Sequence, residues 1–168
     1  MASTYTPLGI EKMATGENAG TWGTKTNANL DLIEQIAGGF KQVSIAGGAQ
    51  TTALTVADGA LTGTAQARMI EFTGTITGNQ VVTIPNDVQN FYILKNSTSG
   101  AYTVQFKYAS GSGDTFTFST TTKTTKLVFA SGNPDTTNPK IIEIQTGGDV
   151  VDDTSPQLGG NLDTNSFM

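Results

Sequence analysis

Near the N terminus, apolar residues recur at the spacing of a helix. The stripe consists of Leu30, Leu32, Ile33, Ile36 and Ala37. Apolar residues three and four positions apart share one side of a helix, so the pattern predicts one amphipathic helix. Thr24 or Thr26 is the expected N-cap and Gly38 the expected end. Trp22 lies close enough upstream to belong to the same helix.

A helix with an apolar stripe must bury that stripe against something. The helix either covers the sheet of its own domain or docks on another protein, and the sequence leaves both open. Trp22 is the single tryptophan and is flanked by Gly20 and Gly23. Tryptophan is enriched at anchoring positions of protein interfaces, so Trp22 is a candidate contact residue, with capping of its own core as the equal alternative.

From Gln42 to Thr146 the apolar period changes to two, which is typical of half-buried strands. Nine short runs follow this pattern: KQVSIA, TTALTVA, RMIEFTG, QVVTIP, NFYILKN, AYTVQFKYA, TFTFS, KLVFAS and KIIEIQT. Turn-forming stretches such as PND, STSG and SGSGD separate them. Because no connection is long and helical enough for a βαβ crossover, we expect a mainly β fold, an antiparallel β-sandwich with a short N-terminal helical segment.

Composition favours a protein that assembles with copies of itself. Charged residues make up 14% of the chain, against about 25% in an ordinary soluble domain. Low charge density weakens the repulsion between copies. The net charge of −5, without clusters of Lys or Arg, predicts no nucleic-acid partner.

The absence of histidine and cysteine closes off much common enzymology. The 168 residues contain neither type, so a Ser-His-Asp triad, a thiol nucleophile and a His- or Cys-ligated zinc are all excluded. We therefore predict no enzymatic activity. The sequence also shows no secretory signal and no long apolar span, which predicts a soluble product made in the cytoplasm without a membrane partner.

Carboxylates give weak candidates for further chemistry. The cluster Asp149, Asp152 and Asp153 has ligand-type oxygens, but it lacks the spacing of a calcium loop and is interpreted as a solvated linker, so no metal or cofactor is predicted. The remaining candidates for an acid pair are scattered over strands and turns: Glu71, Asp87, Asp114 and Glu143.

Aromatic residues on the predicted strands have two interpretations. Tyr92, Tyr102, Tyr108 and Phe116 could form a platform for sugar rings, but their alternation with polar residues favours packing in the core. A host-polysaccharide-binding module therefore stays as an alternative function.

Three motifs carry a resemblance to a known family. The stretch GENAGTWGTKTNANLDLIEQ resembles an N-terminal segment that recurs in tail fibre and other structural proteins of tailed phages, especially podoviruses of marine bacteria (cyanophage-like). NFYILKNSTSGAYTVQFKYASGSGDTF is similar to the sandwich strands of those proteins. DTSPQLGGNLDTNSF looks like the element that opens the fibre shaft.

The resemblance implies a structural virion protein, the N-terminal attachment domain that fastens a homotrimeric tail fibre to adaptor or nozzle proteins. Residues 1–40 would be a helical anchoring segment, residues 41–146 the β-sandwich, and residues 147–168 a linker and the extended start of the fibre shaft. Trp22, Leu30 and Ile33 would dock on the tail. Another virion appendage, such as a head fibre or decoration protein, is the alternative.

The apolar residues of the tail have a role in this reading. Leu158, Leu162 and Phe167 would meet around the axis of the trimer. A host receptor would be contacted only through a region downstream of residue 168.

Overall fold

The computed structural model describes residues 2–121, 123–132 and 135–144. The chain begins with a small hairpin, formed by β1 (Thr4–Tyr5) and β2 (Glu11–Lys12), and continues into one helix, α1 (Trp22–Gly38). The mainly β fold with one short N-terminal helix is therefore confirmed. The sequence pattern did not predict the hairpin, whose strands have two residues each.

Nine strands build two sheets that face each other across one core. They are β3 (Phe40–Ser44), β4 (Gln50–Ala53), β5 (Met69–Thr75), β6 (Gln80–Ile84), β7 (Gln89–Ser99), β8 (Val104–Tyr108), β9 (Phe116–Phe118), β10 (Thr125–Ser131) and β11 (Ile141–Ile144). The five-stranded sheet has the order β11-β10-β7-β5-β3, and the four-stranded sheet has the order β4-β6-β8-β9. Each of the nine predicted runs overlaps one of these strands.

The prediction of purely antiparallel pairing is wrong. Strands β3, β5 and β7 pair in parallel in one sheet, and β4, β6 and β8 pair in parallel in the other. From β3 to β8 the chain alternates between the sheets, so each strand from β4 to β7 is the return path between two parallel strands of the other sheet. A strand of the opposite sheet thus takes the place of the crossover helix that usually connects two parallel strands. Antiparallel pairing holds only for β7-β10, β10-β11 and β8-β9 among the nine strands.

Successive corners, where the chain passes from one sheet to the other, are also hydrogen-bonded to each other. The amide of Gly47 donates to the carbonyl of Thr75, and the amide of Ile76 donates to the carbonyl of Ser99. Gly100 follows with a φ of 103°, and a Cβ there would collide with the carbonyl oxygen of Ile76. The successive corners therefore approach each other closely, and only glycine fits at position 100.

The core lies between the inward faces of the two sheets. Phe106 of the four-stranded sheet is completely buried, and its ring centroid lies 6.4 Å from that of Phe72 and 5.6 Å from that of Tyr92, both in the five-stranded sheet. Burial of such aromatic side chains is the main apolar contribution that holds the sheets together.

Gln66 connects the N-terminal hairpin to the two sheets. Its side chain is fully buried, and its Nε2 donates to the carbonyl oxygens of Leu8 at 2.8 Å and Ala57 at 3.1 Å, while its Oε1 accepts from the amide of Ala57. The amide of Gly59 donates to the carbonyl of Gly9 beside it. The loop between β1 and β2 is therefore fixed on the body of the domain.

Candidate docking surface

The helix begins where the backbone turns through three left-handed positions. Gly16, Asn18 and Gly20 all have positive φ, and the carbonyl of Asn18 accepts the amide of Trp22 at 2.9 Å. Glycine and asparagine are the residues that adopt this conformation most readily. The GENAG stretch is therefore a turn that sets the direction of the helix.

The predicted N-caps were wrong, and the predicted cap at the helix end lies one residue too early. The N-cap is Thr21, whose side chain makes no capping hydrogen bond, and Thr24 and Thr26 lie inside the helix. Trp22 is the first helical residue, so the helix starts earlier than its apolar stripe. Gly38 is the last residue of the helix, and the C-cap is Gly39.

Glu11 and Asn29 hold the helix on the hairpin. The side chain of Asn29 makes two hydrogen bonds to the backbone of Glu11. Its Oδ1 accepts the Glu11 amide and its Nδ2 donates to the Glu11 carbonyl, both at 2.9 Å. The Nζ of Lys25 lies 3.0 Å from Oε2 of Glu11. This hydrogen-bonded ion pair lowers the pKa of Glu11 and raises the pKa of Lys25.

The apolar residue that the helix buries is not one of the three expected to dock. Leu32 is completely buried, whereas Trp22 is 66% exposed, Leu30 58% and Ile33 49%. Positions 22, 30 and 33 fall within about 80° around a helix that advances 100° per residue, so these three side chains share one side. We call Trp22, Leu30 and Ile33 the helix stripe.

A cleft of about 420 Å³ lies at the C-terminal end of the helix. Phe40 and Leu61 contribute exposed apolar side chains to it, and Asp31 and Glu34 contribute carboxylates from the last turns of the helix. Lys41 also lines the cleft and donates from Nζ to the carbonyl of Leu61 at 3.1 Å. The end of the helix therefore joins an apolar surface with an acidic border.

Three of the four scattered carboxylates have hydrogen-bond or ion-pair partners of their own. Glu71 accepts hydrogen bonds from neighbouring strands, Glu143 pairs with Lys126 at 2.7 Å, and Asp114 lies 3.9 Å from Lys140. Asp87 is exposed in the loop before β7. Among the residues that the structure describes, no group of three carboxylates is placed to hold a metal ion. The cluster Asp149, Asp152 and Asp153 lies outside the described residues.

The four aromatic candidates do not form a sugar-binding platform. Tyr92, Tyr108 and Phe116 are buried in the core, as their alternation indicated, and Tyr102 is 38% exposed in the loop before β8. Burial and loss of hydration raise the pKa of Tyr108 to about 12. Three of the four rings therefore pack the interior of the domain, and the prediction of core packing is wrong for Tyr102.

The contacts that position the helix were not visible in the sequence. The side chains of Asn29 and Gln66 act through hydrogen bonds to backbone groups far along the chain, and a polar residue carries no sequence signal for such a partner. The turn residues of GENAG were the available signal, since Gly and Asn mark positive φ.

The residues predicted for a trimeric shaft, Leu158, Leu162 and Phe167, lie outside the described residues. The comparisons with known proteins add no assignment, because no family model, curated protein or solved structure matches the chain. In the described ranges, no helix is long and apolar enough to cross a membrane.

Proposed function

We propose that this chain is the virion-attachment domain of a phage tail fibre and docks on tail adaptor or nozzle proteins through the helix stripe. The chain would act as a homotrimer, continued by a shaft that begins with Leu158, Leu162 and Phe167. Its role would be structural, and attachment needs no catalytic step. The motifs of the N-terminal segment and of the tail support this family.

The observation that carries the proposal is the exposure of the helix stripe. Trp22, Leu30 and Ile33 project from one side of a helix whose opposite contact is already satisfied by Leu32. Tryptophan is among the residues enriched in interface hot spots, and the two aliphatic side chains beside Trp22 extend its apolar surface. The alternative in which this stripe covers the chain's own sheet is not supported.

The way the helix is held suits a docking role. Asn29 and Lys25 attach it to Glu11, and Gln66 attaches the same hairpin to the sheets. A helix fixed in this way loses little conformational freedom when a partner binds. The ordering cost is met by intramolecular hydrogen bonds before the partner arrives.

The first experiment measures docking directly. Tail particles assembled without their fibre, from a phage that encodes this chain, are mixed with the purified full chain and sedimented. We expect wild-type chain to co-sediment, and the triple variant Trp22→Ser, Leu30→Ser, Ile33→Ser to bind at least about 10-fold more weakly, which corresponds to about 1.4 kcal/mol. Tyr102→Ser is the matched control, since Tyr102 is an exposed aromatic outside the helix and should bind like wild type.

A second variant tests whether the position of the helix matters. Asn29→Ala removes both hydrogen bonds to the Glu11 backbone without changing the stripe. We expect faster amide exchange in the helix and weaker binding to tails than for wild type, because the stripe is no longer held in place.

Equal binding by the triple variant of the first experiment and by wild type would reject the stripe as the docking site.

Antibody labelling of intact virions decides where the chain resides. Label on the tail supports the proposal, and label on the head supports the head-fibre or decoration alternative. Particles without label would reject a virion location altogether.

A further inference from the structure

The outward face of the five-stranded sheet is divided into an apolar half and a polar half. One apolar row crosses every strand in register and consists of Ile144, Leu127, Ile93, Met69 and Phe40. A second row lies two residues further along the strands and consists of Ile142, Phe129 and Phe91. We call these eight residues the apolar band.

The apolar band is accessible in the described part of the chain. Phe40 is 51% exposed, Phe91 46%, Ile142 42% and Ile144 36%, and the other four members are partly buried. The rings of Phe91 and Phe129 stack side by side with centroids 4.8 Å apart. Single exposed apolar residues are ordinary, but a contiguous band of aromatic and aliphatic side chains indicates an interaction surface.

The other half of the same face is polar and carries no net charge. Gln42, Glu71 and Lys95 form a row in register, in which Nζ of Lys95 lies 2.7 Å from Oε1 of Glu71 and Nε2 of Gln42 donates to Oε2 of Glu71 at 2.7 Å. Glu71 and Lys95 are the charged side chains that the five strands direct outward, and they neutralise each other. At the border, Arg68 donates to the carbonyl of Phe91 at 2.9 Å.

We propose that the apolar band packs against other copies of this chain, sheet face towards sheet face around a shared axis. Copies of a chain with net charge −5 repel each other wherever their charged surfaces meet. The apolar band and the polar row beside it, in which Glu71 and Lys95 neutralise each other, form a surface on which copies can meet with less of that cost.

The size of the face agrees with this occupant. Five strands spaced about 4.8 Å apart, with their lengths at about 3.3 Å per residue, give a face on the order of 500 Å². A standard interface buries about 800 Å² on each partner, so the face supplies more than half of one. Phe40 continues the band into the cleft beside Leu61, which extends the apolar area at the sheet edge. The proposal stands independently of docking on a tail.

The experiment measures the solution mass of the full chain over a range of concentrations by light scattering and sedimentation. We expect wild type to be an oligomer and the double variant Phe91→Lys, Ile142→Lys to be a monomer, because each copy then places cations opposite cations. Ser44→Lys with Thr125→Lys adds the same charge to the polar half of the same face and should lower the mass less, since these positions lie outside the band.

Folding of each variant is checked by circular dichroism and thermal unfolding. If the lysine variant does not fold, Phe91→Thr with Ile142→Thr replaces it, because threonine keeps strand propensity while removing the apolar surface. A wild-type chain that is monomeric at all concentrations would overturn the proposal, and so would folded band variants with the mass of wild type. A helix-stripe variant that keeps the wild-type mass but does not dock on tails would show that docking and association of copies use different surfaces.

Discussion

The two sheets share one core but present opposite chemistry to their surroundings. In the four-stranded sheet, the outward row in register is Thr51, Val81, Gln105 and Thr117, and the next contains Ala53, Thr83 and Lys107. In the five-stranded sheet, the outward row runs from Phe40 to Ile144 through five apolar residues. One sheet is therefore built to face water, and the other carries a second apolar surface.

The difference means that the packing of the core does not by itself account for the outward apolar residues. Both sheets bury the same kind of residues inward, as Phe106 and Phe72 illustrate. The four-stranded sheet is stable with a polar outward face, so a sheet of this fold does not need a second apolar face. Three changes test what the sheets share and what separates them.

The largest effect is expected where the two sheets meet. Phe106→Ala removes a fully buried ring that lies against Phe72 and Tyr92 and leaves a cavity between the sheets. We expect the free energy of unfolding to fall by about 3–5 kcal/mol, measured by urea denaturation. Gln105→Ala, the adjacent residue on the outward face, is the control and should change it by less than about 0.5 kcal/mol. Similar losses in both variants would contradict the assignment of the core.

A smaller effect is expected from the polar link between the sheets. The hydroxyl of Tyr108, in the four-stranded sheet, donates to the carbonyl of Val88 at 2.8 Å and accepts the amide of Gly132 at 2.7 Å. Val88 precedes β7 and Gly132 follows β10, so one hydroxyl bonds the start of β7 and the end of β10, which lie side by side in the other sheet. Tyr108→Phe leaves two buried backbone groups without this partner and should cost about 1–3 kcal/mol in thermal unfolding. Tyr102→Phe, at an exposed position, should cost nothing measurable.

The smallest effect is a pH dependence that belongs to the five-stranded sheet. Hydrogen bonds from Gln42, Lys95 and Ser97 lower the pKa of Glu71 from 4.5 to about 2. The unfolded chain therefore takes up this proton first as the pH falls, so the stabilisation is complete above about pH 4.5 and is lost as the pH falls towards 2.

Urea midpoints measured between pH 2 and pH 6 check this assignment. Glu71→Gln should flatten the fall in stability within that window, leaving the smaller slope that the lowered pKa of Glu11 also produces. Asp87→Asn, at an exposed loop position, should keep the full slope. An unchanged slope in Glu71→Gln would show that the row from Gln42 to Lys95 does not hold the carboxylate in solution.

Much of the fold was accessible to sequence reasoning, and the misses have a common cause. Alternation located all nine strands and placed Val104, Phe106 and Tyr108 on one buried face. Alternation does not say which strand lies beside which, so parallel pairing was missed. The apolar band had a signal that went unused, since FYIL and KIIEI are apolar at successive positions and such strands bury or expose both faces.

The candidate docking surface was predicted in part. Trp22, Leu30 and Ile33 were identified from composition and spacing, and the structure gives them one exposed side of a helix. The residues that hold this helix, Glu11 and Asn29, lie eighteen positions apart in the chain. Their contact depends on how the hairpin folds back, which no local pattern reports.

The sequence by itself determined the local elements of this protein, because the period of apolar residues selects helix or strand and Gly and Asn select the turns. Only the tertiary structure decided that the strands from β3 to β8 alternate between opposite sheets, and that eight apolar residues from five strands form one band. Register and pairing come from hydrogen bonds between distant segments, so the surface on which copies of the chain would meet exists only after the sheets have assembled.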